Sequence, residues 1–282
     1  MSKSYFTSSL SDPATLDRLT YFMVFVSAAF VINNGIIELK AFSLCFATFL
    51  AAYFSNRRAH PDEAPNSQTI VINSLLYFVQ LLGSIAFLYM TENIAAAAVF
   101  IIVLCCSKLR PFITLHNTFS IICLLVLIII EFASLAILGA FSQLQVWAEY
   151  RHTYYIVAIF GGATAFFYFA AQVLKNGPAL KDAGWDIIRT VKDKKQQDIS
   201  RPGSILRTYT LAVFTGAMVP ISLAFFSILP KAFLVYIVPL FWGLKISEAF
   251  MTNPDFEAMT VKTLKISGLI GLFNILIGVI AK

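Results

Sequence analysis

The chain is poor in charge. Only 13% of its 282 residues are Asp, Glu, Lys or Arg, 59% are hydrophobic, and mean hydropathy is +0.78. A water-soluble domain carries about 25% charged residues, so that class is excluded and a polytopic membrane protein remains. Cysteine is scarce too. Cys45, Cys105, Cys106 and Cys123 sit inside apolar runs without metal-ligand spacing, which argues against a disulfide framework or a zinc site. There is no Gly-rich phosphate loop, no Gly-x-Ser-x-Gly and no clear internal repeat. The surplus of 21 basic over 15 acidic side chains sorts by loop, as membrane orientation demands, so no nucleic-acid partner is expected.

Long apolar runs are what the sequence has in quantity. About 20 residues cross a ~30 Å hydrocarbon core. Candidate runs lie at approximately 20–37, 41–55, 69–90, 93–107, 118–141, 153–174, 208–229, 232–247 and 263–281. The expected fold is therefore an all-α polytopic bundle of about nine transmembrane helices, forming one integral membrane domain over 1–282. Residues 1–19 are polar, mixed in charge and unlike a signal peptide, so they are read as a cytoplasmic tail. With the N-terminus inside and nine crossings, 17 of the 21 basic residues fall on the inner side, as the positive-inside rule requires. Seven crossings, without the second and fourth runs, give 15 inside against 6 outside. The default membrane is a bacterial inner membrane.

Two inner loops concentrate polar residues, at about 56–68 and 175–207. In the first, Asn56, Arg57, Arg58 and His60 precede Asp62 and Glu63. Adjacent guanidiniums there either clamp a phosphate or anchor topology at lipid headgroups. In the second, Asp182 and Asp186 are spaced D-x-x-x-D, which on a helix puts both carboxylates on one face, fit to share a Mg²⁺. The alternative there is an interfacial amphipathic helix, with Trp185, Ile188 and Val191 opposite Arg189, Lys192 and Lys195. Inside the core, Glu131 interrupts LLVLIIIEFASLAIL. An ionisable group at that depth marks a functional site and needs a partner, which the sequence does not identify. Aromatic runs such as AFFYFAAQ at 165–172 serve as lipid contacts or as a surface for an isoprenoid chain.

This arrangement resembles the UbiA superfamily of intramembrane prenyltransferases, whose members have nine helices, an inner N-terminus and Asp-rich motifs in the inner loops after helices two and six. Arg57, Pro61 and Ser67 match the continuation of the first motif. Ser107-Lys108-Leu109-Arg110 with Asn117 resembles the basic connection after helix four, and Lys175-Asn176 with Arg189-Thr190-Val191 resembles the second motif. The departures are equally plain. In those registers the motif aspartates fall on Phe49, Ala52 and Asn56, and on Asn176, Ala179 and Ala183, while a shifted second register keeps Asp182 and Asp186. The resemblance implies that a prenyl diphosphate is gripped through Mg²⁺ at Asp182 and Asp186, the catalytic pair, with Asn56, Arg57, Arg58, Lys108, Lys175, Asn176 and Arg189 on the diphosphate. A hydrophobic, aromatic or other lipid-soluble acceptor then takes the prenyl group. The alternatives are an inactive binder of an isoprenoid, quinone or pigment, a membrane subunit, and a transporter built around Glu131.

Overall fold

The structure is a computed structural model that describes residues 12–32, 39, 42–48, 67–91, 94–113, 115, 117–143, 147–192 and 198–280. Its helices are α1 (Pro13–Ile32), α2 (Ser67–Thr91), α3 (Ile94–Leu109), α4 (Thr118–Phe141), α5 (Trp147–Lys175), the short α6 (Gly177–Asp182), α7 (Ser204–Phe225), α8 (Ile237–Thr252) and α9 (Phe256–Ile280). Among the described residues six spans are long and apolar enough to cross a membrane, and two shorter apolar segments lie in α2 and α3. The protein is an all-α polytopic membrane bundle, apart from one hairpin. Of the second apolar run, 41–55, only 42–48 is described, and it is helical.

Local chemistry sets where two of the helices begin. Asp12 accepts from the Thr15 amide at 3.1 Å and the Thr15 hydroxyl at 2.9 Å, with Pro13 opening α1. The first helix thus starts inside the segment expected to be a polar tail. Asn117 and Ser120 form a reciprocal capping box that starts α4. At the end of α3, Pro111 lacks the amide that a continuing helix needs, and the chain tightens into a single 3₁₀ turn, Arg110–Phe112.

The amphipathic helix expected around Trp185, Ile188 and Val191 does not form among the described residues, and Lys195 lies outside them. Helix α6 stops at Asp182, and Gly184 turns the chain at φ 87°, a conformation that side chains disfavour. The β-branched stretch that follows enters an antiparallel hairpin, β1 (Ile188–Lys192) with β2 (Asp198–Pro202). The Gly203 amide donates to the Ile187 carbonyl at 2.8 Å, so the neighbouring Ile188 and Pro202 pair needs no amide from proline. An added Cβ on Gly203 would lie 2.2 Å from the Asp186 carbonyl oxygen, which is why glycine joins β2 to α7.

In the bundle, α5 packs on α4, α7 and α9, and α1 packs on α4 and α9. Small residues let the backbones touch. A Cβ on Gly139 of α4 would come 2.3 Å from the Phe25 carbonyl oxygen of α1, and one on Gly161 of α5 would come 2.3 Å from that of Phe132 on α4. The starts of α1, α4, α7 and α9 and the ends of α3, α5 and α8 share one end of the bundle, together with the hairpin.

Adjacent glycines make a controlled test of this packing. Gly161→Ala forces α4 and α5 apart and is expected to cost about 1–3 kcal/mol. An added Cβ on Gly162 meets nothing within 4 Å, so Gly162→Ala should leave stability unchanged or slightly raised. Thermal unfolding of both variants in one detergent reads the difference.

Candidate functional site

Three helix faces converge beneath that end. Asp17 and Tyr21 are four residues apart on α1. Leu124, Ile128 and Glu131 on α4, and Tyr168, Gln172 and Lys175 on α5, are spaced four and then three residues apart, so each set lines one side of its helix. Helix α3 has 16 residues, a length of about 24 Å, short of a ~30 Å core. Arg110, the residue that follows its end, therefore reaches into the bundle rather than past it.

Arg110 is the centre of the cluster. Its Nη1 donates to the Tyr21 hydroxyl and lies 3.4 Å from Glu131 Oε2. The guanidinium carbon sits 5.4 Å from the ring centres of both Tyr21 and Tyr168, a double cation–π arrangement. Phe132 closes the aromatic box at 4.7 Å from Tyr21 and 4.8 Å from Tyr168. Tyr168 donates its hydroxyl proton to Asp17. Glu131 is only 1% exposed and its Oε1 has no hydrogen-bond partner among the described residues, whereas Arg110 is 22% exposed. The carboxylate is thus closed in, and the arginine faces both ways.

What Arg110 faces on its other side is a cavity of about 270 Å³. Its polar wall is Asp17, Arg110, Tyr168, Gln172, Lys175 and Asn176, and Ile113, Leu115 and Leu124 complete it. The Asn176 amide is held by the Gln172 carbonyl at 2.8 Å, which steers the turn from α5 into α6. A cavity with a guanidinium, an ammonium and two amides suits an oxygen-rich head group. Counting Glu131 behind Arg110, two cations stand with two carboxylates.

Of the residues singled out from sequence, Lys175 and Asn176 line this cavity and Glu131 lies behind it, with Arg110 as the partner that the sequence did not identify. Lys108 belongs to the last turn of α3, with its side chain outside the described set. Asn56, Arg57 and Arg58 lie outside the described residues. Asp182, Asp186 and Arg189 are exposed and line no part of the cavity. The two aspartates do not share a helix face, because Gly184 separates the end of α6 from Asp186. Asp186 instead joins the hairpin to α7, its amide donating to Ser204 Oγ at 3.0 Å and its carbonyl accepting from the Ile205 amide at 3.1 Å. Among the described residues no three His, Cys, Asp or Glu side chains gather as metal ligands.

The chain matches no family model, no curated protein and no solved structure. Its site is therefore read from its own residues. Asp17 and Tyr21 were not legible as site residues, and Tyr168 and Gln172 were reached only as part of the aromatic run at 165–172. The signal that could have found Asp17 and Tyr21 is the Asp12-Pro13 helix start, which brings both onto one face of α1.

Removing one member of a buried ion pair strands the other. Arg110→Met should destabilise the protein by about 3 kcal/mol. Adding Glu131→Leu to it should restore most of the loss, and denaturation of the two single variants and the double variant measures the coupling.

Proposed function

We propose that this chain is a prenyltransferase-like membrane protein whose cavity receives the diphosphate head of an isoprenoid. The carrying observation is Arg110, fixed between Glu131 and two tyrosine rings, with Lys175 and Asn176 in the same cavity wall. Two cations and the side-chain amides of Gln172 and Asn176 supply enough donors for a diphosphate. An apolar groove of about 360 Å³ between α4, α5 and α7, lined by Ile129, Ala133, Ala158, Gly162, Phe166 and Gly216, offers a surface for a prenyl chain or a hydrophobic acceptor. The resemblance to the UbiA superfamily supports the same reading, with nine crossings and a cytoplasmic N-terminus as its corollaries; a bacterial inner membrane is the default membrane for such a chain.

Mg²⁺ does not fit the described residues as a shared site. Asp182 and Asp186 lie on opposite sides of the Gly184 turn, and neither lines the cavity. This observation favours a second reading, in which the protein binds the isoprenoid or a quinone-like relative without transferring it.

Electrostatics makes the binding prediction specific. The anion competes with Glu131 for the Arg110 charge. Glu131→Gln should therefore tighten binding, and Lys175→Gln should weaken it about tenfold, the worth of one charge-assisted hydrogen bond. Purified protein in nanodiscs, titrated with a series of prenyl diphosphates with and without Mg²⁺, tests both. Diphosphate release that needs Mg²⁺ and is lost in Asp182→Ala supports transfer, and binding without release supports the second reading. Absence of binding overturns both.

A further inference from the structure

The hairpin carries a feature that neither the cavity nor the proposed reaction uses. Register places Arg189 directly opposite Arg201. Directly opposed residues of an antiparallel pair project from the same face, with Cα atoms about 5.5 Å apart when they exchange hydrogen bonds. The bond from the Gly203 amide to Ile187 sets that phase, so Arg189 and Arg201 are such a pair. Like charges in this position repel and destabilise the hairpin. Both arginines are exposed, and neither forms an ion pair among the described residues. The second strand is tied down at its end, where Arg207 Nε donates to the Pro202 carbonyl at 2.9 Å. Two arginines thus stand at directly opposed positions of a braced strand pair, with no ion pair to a carboxylate among the described residues.

We propose that Arg189 and Arg201 form a clamp for the phosphate of an anionic phospholipid in the surrounding leaflet. Two adjacent guanidiniums match the oxygens of a phosphate with paired charge-assisted hydrogen bonds, and an anion between them turns repulsion into attraction. The hairpin's setting selects a lipid over a free phosphate. On the arginine face, two residues before Arg189, stands Ile187, whose carbonyl accepts from the Gly203 amide. Ile187 and the neighbouring Trp185 pack against the bundle core. An arginine pair next to such apolar side chains, beside the end of α5 and the start of α7, is the composition of a segment that rests at the headgroup boundary. This clamp is separate from the Arg110 cavity and holds whether or not a prenyl diphosphate binds there.

The test is lipid retention by the full chain. Protein from bilayers of phosphatidylcholine with phosphatidylglycerol is extracted, washed in detergent, and its bound phosphatidylglycerol counted by native mass spectrometry. The expected result is preferential retention of phosphatidylglycerol, reduced about 30-fold in affinity in Arg189→Gln/Arg201→Gln, as two basic residues at a charged surface imply. Inorganic phosphate at matched ionic strength should displace little of it. Equal retention by parent and double variant overturns the proposal, and so does full displacement by inorganic phosphate, which would make the site one for a soluble anion. If the double variant fails to fold, Arg189→Lys/Arg201→Lys decides the matter. It keeps the charge and loses the planar fork, so retention must fall, and unchanged retention refutes the clamp.

Discussion

The structure depends on one buried ion pair. Glu131 lies thirteen residues into α4, in a core whose other buried polar side chains among the described residues are uncharged, where an isolated carboxylate costs several kcal/mol. Arg110 offsets that cost from the end of a helix too short to carry it to the surface. The 3₁₀ turn at Pro111, the tyrosine box and the Asp17 contact on Tyr168 all serve to hold the guanidinium in place. Helices α1, α3, α4 and α5 are thereby joined at a single point.

The same pair shapes what the cavity can accept. An arginine fully committed to a carboxylate would be structural only, and an unopposed one would bind any passing anion. Arg110 is neither, because a closed-in Glu131 holds it on one side while the cavity with Lys175 opens on the other. On the proposed reading, a ligand is anionic enough to share the guanidinium with Glu131 and shaped to meet Gln172 and Asn176 as well. That requirement would give selectivity without a dense cluster of acidic residues.

Much of the architecture was legible in the sequence, because bilayer-length apolar runs encode helices directly. Glu131 was legible as a site for the same reason, as a charge that the core does not tolerate alone. Lys175 and Asn176 were reached through a motif resemblance. The convergence of Asp17, Tyr21, Arg110 and Tyr168 was not, since it arises from four helices whose packing no local pattern specifies. The hairpin was misread because Trp185, Ile188 and Val191 fit a helical stripe, while Gly184 and the β-branched stretch after it favour a turn and a strand. Asp182 and Asp186, placed on one face by their spacing, were separated by that same glycine.

On the proposed reading, water and a ligand head reach the cavity from the polar end and stop at the Arg110 and Glu131 floor. Leu124 lines the cavity and Ile128, one turn deeper on the same face of α4, is fully buried. In a background with Cys45, Cys105, Cys106 and Cys123 replaced, a charged, water-soluble thiol reagent should label the Leu124→Cys variant and leave Ile128→Cys untouched. Equal labelling of both would show an open channel in place of a floored cavity, and an inert Leu124→Cys would show no water-accessible cavity; either result contradicts the account.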